Sequence, residues 1–289
     1  MCLADVARFT GLGWDTVKEL VQERLEADYG RPDLRGLRYL SIDEIYVGKA
    51  RKFYTVVINL ESGRIVWVAR GKGGAALAQF WPLLRQAGAK IRAVCCDLSA
   101  AYWSAVAEHL PRAAVVFDRF HLVKLMNEKL DELRRSLQRE ATERMQATVK
   151  GTRWLLLLKR DHLRAEQLPR LDEALRHNEP LLIGYLLKEL LGLLWQQPSA
   201  AKMEDFLGAW CQLAAGTGIR VLRTMAKTLA GHATGILNWW EHRLSNGRME
   251  GINHKIKAML RLHYGLRDER FFILRLLGLH ETKFKLTGC

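Results

Sequence analysis

Arg38 to Tyr46 reads RYLSIDEIY, a short apolar run that carries two adjacent acids, Asp43 and Glu44, near its C-terminal end. Successive side chains of a strand point to opposite faces, so Ser41 and Asp43 share one face and Ile42 and Glu44 the other. Only one acid of the pair can therefore serve a site on a given face of a sheet, and we take it to be Asp43. A second apolar run, Ile91 to Asp97 (IRAVCCD), ends in the same way, with Asp97 at its edge. Carboxylates at the ends of two strands suit a divalent cation, because hard cations prefer oxygen donors. Either acid alone equally suits the beginning of a turn.

The segments around these runs set the fold class. Phe53 to Leu60 (FYTVVINL), a turn at Glu61-Ser62-Gly63 and Arg64 to Ala69 (RIVWVA) follow the first run closely, which predicts an antiparallel meander. The GKGG at Gly71 to Gly74 lacks the remaining residues of a phosphate-binding loop and reads as a turn. A helix is predicted over Ala75 to Ala87, with Leu77, Phe80, Trp81 and Leu84 on one face. After Asp97 come a helix at Ala100 to Leu110 and a strand at Ala113 to Phe117 that leads to Asp118. Strand, helix, strand in this rhythm implies parallel neighbours. Three antiparallel strands followed by two parallel ones with crossover helices is the order of an RNase H-like α/β domain, a mixed five-stranded sheet with flanking helices.

From Arg119 to about Arg243 the apolar spacing becomes helical throughout, with charged pairs such as those in EKLDELRR (Glu128 to Arg135) on the exposed side. This predicts a large all-α insertion, whose Lys150, Arg153, Lys159 and Arg160 suit either a solvated face or DNA. The most apolar segment, Leu181 to Trp195, is too short for a bilayer and contains Lys188 and Glu189, so it reads as a buried helix.

At 289 residues and a formal net charge of +14, with the excess spread along the chain, a basic surface and a polyanionic partner are expected. The cysteines at 2, 95, 96, 211 and 289 show no CxxC spacing, which suits a reducing compartment and argues against disulfides or a structural zinc site. No signal pattern precedes the first helix. A soluble, cytoplasmic protein without membrane association is expected.

Asp5 to Ala27 reads as two short helices around Gly11, spaced as in a helix-turn-helix. Trp14 to Glu26 would then be the helix that enters a major groove, with Lys18 and Arg24 facing phosphates or base edges; an αα-hairpin packed on the main domain fits the same pattern. Near the other end, SNGRMEGINHKIKAMLR (Ser245 to Arg261) starts with Ser245 or Asn246 as a cap. Met249, Ile252, Ile256 and Met259 form its apolar face, while Glu250, Asn253 and Lys257 fall together on another, one turn apart.

With these residues in place, the SIDE around Asp43, CDLSAAY from Cys96, FDRFHLVKLMNEKLDELRR from Phe117 and SNGRMEGINHKIKAMLRLHYGLR ending at Arg267 resemble the catalytic domain of insertion-sequence transposases of the ISL-three family, in the DDE class. The resemblance spans about Leu37 to Leu276. It implies a catalytic triad of Asp43, Asp97 and Glu250 that holds two Mg²⁺ (or Mn²⁺) ions, Asp43 bridging them and the other two holding one each. The implied reaction is DNA cleavage by water followed by strand transfer by a DNA 3′-hydroxyl, on double-stranded DNA comprising the transposon ends and the target, by a homo-oligomer. Arg248, Asn253, Lys257 and Arg261 are candidates to hold the DNA backbone beside the metals. Asp118, Arg119 and His121 match a family motif without an assigned step.

The expected organisation is a partial helix-turn-helix at 1–29, the first part of the catalytic core at 37–127, the helical insertion at 128–243 and the C-terminal core helices at 244–289. Relatives carry a zinc-binding segment and a complete helix-turn-helix before this region, so an N-terminally truncated chain is expected. A nuclease or resolvase that cuts without joining, and a DNA-binding derivative without activity, remain open alternatives.

Overall fold

The computed structural model describes residues 2–48, 52–140, 149–262 and 268–281. The HYGLR end of the last motif and Cys289 fall outside them. The chain divides into two compact units, one built from Met1–Val116 with Leu244–Cys289, the other from Phe117–Arg243.

The first unit opens with helix α1 (Leu3–Thr10) and helix α2 (Trp14–Tyr29). Gly11, at φ 73°, ends α1 in the left-handed conformation that only glycine adopts at no steric cost. Strands β1 (Tyr39–Val47), β2 (Lys52–Asn59) and β3 (Ile65–Arg70) form the predicted meander, followed by helix α3 (Phe80–Gln86), β4 (Ala93–Cys96), helix α4 (Ala100–His109) and β5 (Ala114–Phe117). The five strands make one mixed sheet in the order β3-β2-β1-β4-β5. β1 pairs antiparallel with β2 and parallel with β4, with Ser41 opposite Cys95. This is the RNase H-like α/β topology.

The helix expected over Ala75 to Ala87 is shorter than predicted: Gly74–Leu77 forms a 3₁₀ turn and the α-helix starts only at Phe80. Pro82 explains the break. Its missing N–H and fixed φ are tolerated in a helix's first turn and costly deeper inside, so the helix begins just before it. Leu77, Phe80, Trp81 and Leu84 nevertheless all reach the core.

One face of the sheet is covered by helix α13 (Gly247–Leu262) and helix α14 (Glu269–Leu277). Val56, Ile58, Val68 and Cys95 of the sheet pack with Met249, Ile252, Ile256 and Met259 of α13 and Phe272 and Leu276 of α14. Each such side chain contributes roughly 1.5–3 kcal/mol when fully buried. On the N-terminal hairpin, Val17 is buried, Arg270 pairs with Glu26, and Lys18 Nζ lies 2.8 Å from Asp268 Oδ2. Lys18, expected to face DNA, is thus committed to an ion pair with the cap of α14, and the hairpin packs on the body of its unit.

The second unit is helical throughout its described residues: α5 (Arg119–Glu140), α6 (Arg153–Leu157), α7 (Leu168–Arg176), α8 (Glu179–Leu191), α9 (Ala200–Gly216), α10 (Arg220–Gly231), α11 (Ala233–Leu237) and α12 (Trp239–His242). Its core gathers Leu130, Val149, Leu156, Leu171, Leu175, Leu181 and Tyr185. Lys188 is buried there, donating to the Leu156 carbonyl at 2.9 Å and the Leu158 carbonyl at 2.5 Å and pairing with Glu189. No helix among the described residues is long and apolar enough to cross a membrane.

Candidate active site

Strand β1 delivers its two acids to opposite faces, as alternation requires. Asp43 stands opposite Val56, which belongs to the core under α13, and Glu44 stands opposite Thr55. Glu44 Oε1 accepts a 2.6 Å hydrogen bond from Tyr102 Oη of α4, on the far side of the sheet. The same Tyr102 oxygen accepts from Gly73 N–H at 3.1 Å and lies 3.1 Å from Thr55 Oγ1. This network escaped the sequence reading, although Tyr102 closes the CDLSAAY motif.

Both oxygens of Asp43 are engaged: Oδ1 accepts from the Glu44 N–H at 2.8 Å and Oδ2 from Asn253 Nδ2 of α13 at 2.9 Å. The parallel β1–β4 register ends at the Ser41–Cys95 pair; Asp97 follows the last residue of β4, whereas Asp43, expected at a strand end, lies in the middle of β1, which stays paired with β2 as far as Val47. Asp97 lies two residues beyond Cys95, past the end of β4, and Cys95 packs under α13. One Asp97 oxygen accepts from Ser99 N–H at 2.9 Å, so this acid also opens the turn into α4.

Glu250 lies in the first turn of α13. The helix α13 starts directly after Asn246, whose carbonyl accepts the Glu250 N–H at 2.8 Å. Asn246 Oδ1 accepts from Ser41 Oγ at 2.7 Å, and both residues are buried. Glu250 therefore sits between two side chains, Asn246 and Asn253, that both bond to the Asp43 face of β1. It is half-buried, as are Asp43 and Asp97.

The donor chemistry fits a hard divalent cation: three carboxylates, plus Asn253 Oδ1, a buried oxygen without a hydrogen-bond partner among the described residues. Among the described residues no three His, Cys, Asp or Glu side chains close into a metal-ligating group, so the three acids are not drawn together into a ready-made cage.

The remaining candidates divide. Lys257 and Arg261 are exposed on α13, within the two turns that follow Asn253. Arg24 is exposed and pairs with Asp28 at 2.7 Å. Arg248 instead turns its Nη1 to the Leu60 carbonyl at 2.5 Å and to the Glu61 carbonyl, holding the β2–β3 turn against the start of α13. In the second unit, Asp118 Oδ2 and His121 Nε2 lie 4.0 Å apart within the first turn of α5, and the Arg119 guanidinium stacks over Trp195.

A 3-2-1-4-5 sheet with one acid within β1 and another directly after β4, followed by a helical unit and then an acid-bearing helix, is the architecture of the RNase H-like DDE class. The transposase family model for ISL-three insertion sequences matches residues 40–276, and the chain belongs to that family. It is 36% identical over 275 residues to the transposase of insertion sequence IS1001 from Bordetella parapertussis, covering 94% of this chain and 68% of that protein. It is 29% identical over 313 aligned positions to the transposase of IS1557 from Mycobacterium tuberculosis, covering 98% of this chain and 69% of that one. Among solved structures, the Drosophila P element transposase strand transfer complex superposes with a TM-score of 0.42 at 12% identity, covering 92% of this chain and 81% of that one.

Proposed function

We propose that this chain cleaves DNA at the ends of an insertion sequence and joins them to target DNA, using Asp43, Asp97 and Glu250 as its catalytic carboxylates. The observation that supports the reading is the Asn253–Asp43 hydrogen bond of 2.9 Å, because it ties α13, the helix that carries Glu250, to β1, which pairs in parallel with the strand that leads to Asp97.

When bound, two Mg²⁺ or Mn²⁺ ions held by the three carboxylates supply Lewis-acid activation of the attacking oxygen and stabilise the leaving oxygen. Asp43 on β1, Asp97 after β4 and Glu250 on α13 would hold these ions. Asn253 orients the Asp43 carboxylate, and Lys257 and Arg261 present cations to the DNA backbone from the same helix. One site serves both steps, since water and a 3′-hydroxyl attack the phosphorus with the same in-line geometry. The net charge of +14 supports binding to double-stranded DNA, both the element's ends and the target. The protein acts in the cytoplasm as a homo-oligomer assembled on those ends.

Asp97→Asn keeps the shape of the side chain and removes the charge. It is expected to abolish Mg²⁺-dependent nicking and joining of DNA carrying the terminal repeats, while salt-sensitive DNA binding persists. Undiminished cleavage by this variant would refute the assignment, and cleavage without joining by the wild-type chain would make it a nuclease.

A further inference from the structure

Apolar packing alone does not fix how α13 lies along the sheet. Met249, Ile252, Ile256 and Met259 rest on Val56, Ile58 and Cys95, and such contacts are non-directional. Two side-chain hydrogen bonds to β1 add direction, beside the contacts of Arg248 with the β2–β3 turn. Ser41 Oγ donates to Asn246 Oδ1 at 2.7 Å, and Asn253 Nδ2 donates to Asp43 Oδ2 at 2.9 Å. The strand partners are two residues apart on one face of β1, about 6.6 Å along the strand. The helix partners are two turns apart, about 10.5 Å along the axis. Sliding the helix by one residue shifts it by about 1.5 Å and turns it by about 100°, which breaks both bonds at once.

Glu250 lies between the two points of attachment, four residues after Asn246 and three before Asn253, on the same face of the helix. We infer that Ser41, Asn246 and Asn253 are positioning residues that form a two-point clamp between β1 and α13, setting the register of Glu250 against Asp43. The inference rests on the reading of Asp43 and Glu250 as metal-holding acids and adds residues that the triad does not contain. The clamp is asymmetric. Its Ser41–Asn246 end is sealed, at 0% and 2% exposure, and sets only the helix position. Its Asn253 end is half-buried and touches a catalytic carboxylate directly, fixing the orientation of that carboxylate as well.

The two ends can be cut separately with Ser41→Ala and Asn253→Ala, with Asp97→Asn as the reference for the active site itself. Residues that orient metal ligands typically carry a 10–100-fold effect on metal affinity or activity. Each single variant is expected to weaken Mn²⁺ binding in the absence of DNA about 10–100-fold, measured by electron paramagnetic resonance of the free ion. Each is also expected to lower the nicking rate at saturating DNA without changing DNA affinity, and to regain part of that rate at raised Mn²⁺. A role in stability alone would lower the melting temperature and leave Mn²⁺ affinity unchanged. If Ser41→Ala fails to fold, the half-buried Asn253→Ala carries the test alone. Wild-type Mn²⁺ affinity and nicking in Asn253→Ala, with Asp97→Asn inactive, would overturn the clamp and leave the triad standing. An active Asp97→Asn would instead overturn the triad.

Discussion

Replacing Tyr102 by Phe removes one oxygen from the centre of the network behind Asp43 while keeping the ring that fills the core, where Tyr102 is 1% exposed. Glu44 then loses its 2.6 Å donor and Gly73 N–H its 3.1 Å acceptor, whereas Thr55 keeps the Gly71 carbonyl at 3.1 Å. A hydrogen bond to a charged group contributes about 1.5–3 kcal/mol and an orphaned buried donor costs about 1–3 kcal/mol. Glu44 is half-buried and recovers part of its loss from water, so a net destabilisation of about 2–4 kcal/mol is expected. Urea unfolding of the full chain measures it as a lower midpoint at unchanged slope. A double-mutant cycle with Glu44→Ala should return a coupling of about 1–2 kcal/mol for the pair. Burial first, and the Glu44 hydrogen bond second, raise the Tyr102 phenol above its ordinary pKa of 10.0. The folded chain therefore holds a proton that the unfolded chain releases above pH 10, so this contribution to stability is complete below pH 10 and falls as pH rises beyond it. Tyr102→Phe should show a shallower fall over that window. A variant within about 0.5 kcal/mol of wild type, the range of an inert surface change, would refute the reasoning.

Gly235→Ala places a methyl group into the ring of Phe117, within the helical unit, and should destabilise it by about 1–3 kcal/mol in thermal unfolding. Arg243 adopts φ 51° and stacks its guanidinium over Trp239 and Trp240, at 4.4 and 3.9 Å from their centroids. Arg243→Ala keeps the backbone strain and loses both stacks, whereas Arg243→Gly relieves the strain, so Gly should be the more stable variant by about 1 kcal/mol in calorimetry. Lys188→Met leaves the Leu156 and Leu158 carbonyls without their buried donor and should cost about 2–4 kcal/mol by chemical denaturation.

Alternation in RYLSIDEIY separates Asp43 from Glu44 correctly, because a strand's side-chain period is a local property of the backbone. Helix phase likewise puts Met249, Ile252, Ile256 and Met259 on the buried face of α13, and the order of strands and helices yields the sheet, since both follow from spacing within a few residues. What the sequence leaves open is which distant group meets each of these. Asn253 meets Asp43 across 210 positions, Asp268 meets Lys18 across 250, and Tyr102 meets Glu44 across 58, and no periodicity encodes such pairs. The Asn253 reading illustrates the gap: an amide near a phosphodiester site reads as a DNA contact, while the folded chain turns its Nδ2 to the Asp43 carboxylate. Arg248 differs in the same way, its guanidinium taken up by the carbonyls of the β2–β3 turn. The late start of the helix expected from Ala75 is readable in principle, because Pro82 stands at a position only a first turn accepts.

The central claim is that Asp43, Asp97 and Glu250 act together on one metal site. Anomalous scattering from crystals of the chain with Mn²⁺ and DNA carrying the element's ends tests it most directly. Manganese peaks are expected within about 2.5 Å of carboxylate oxygens from all three residues, with Asp43 shared between two peaks. Manganese bound away from Asp43 and Asp97, or a Glu250 that stays outside the ligand sphere with DNA in place, would contradict it.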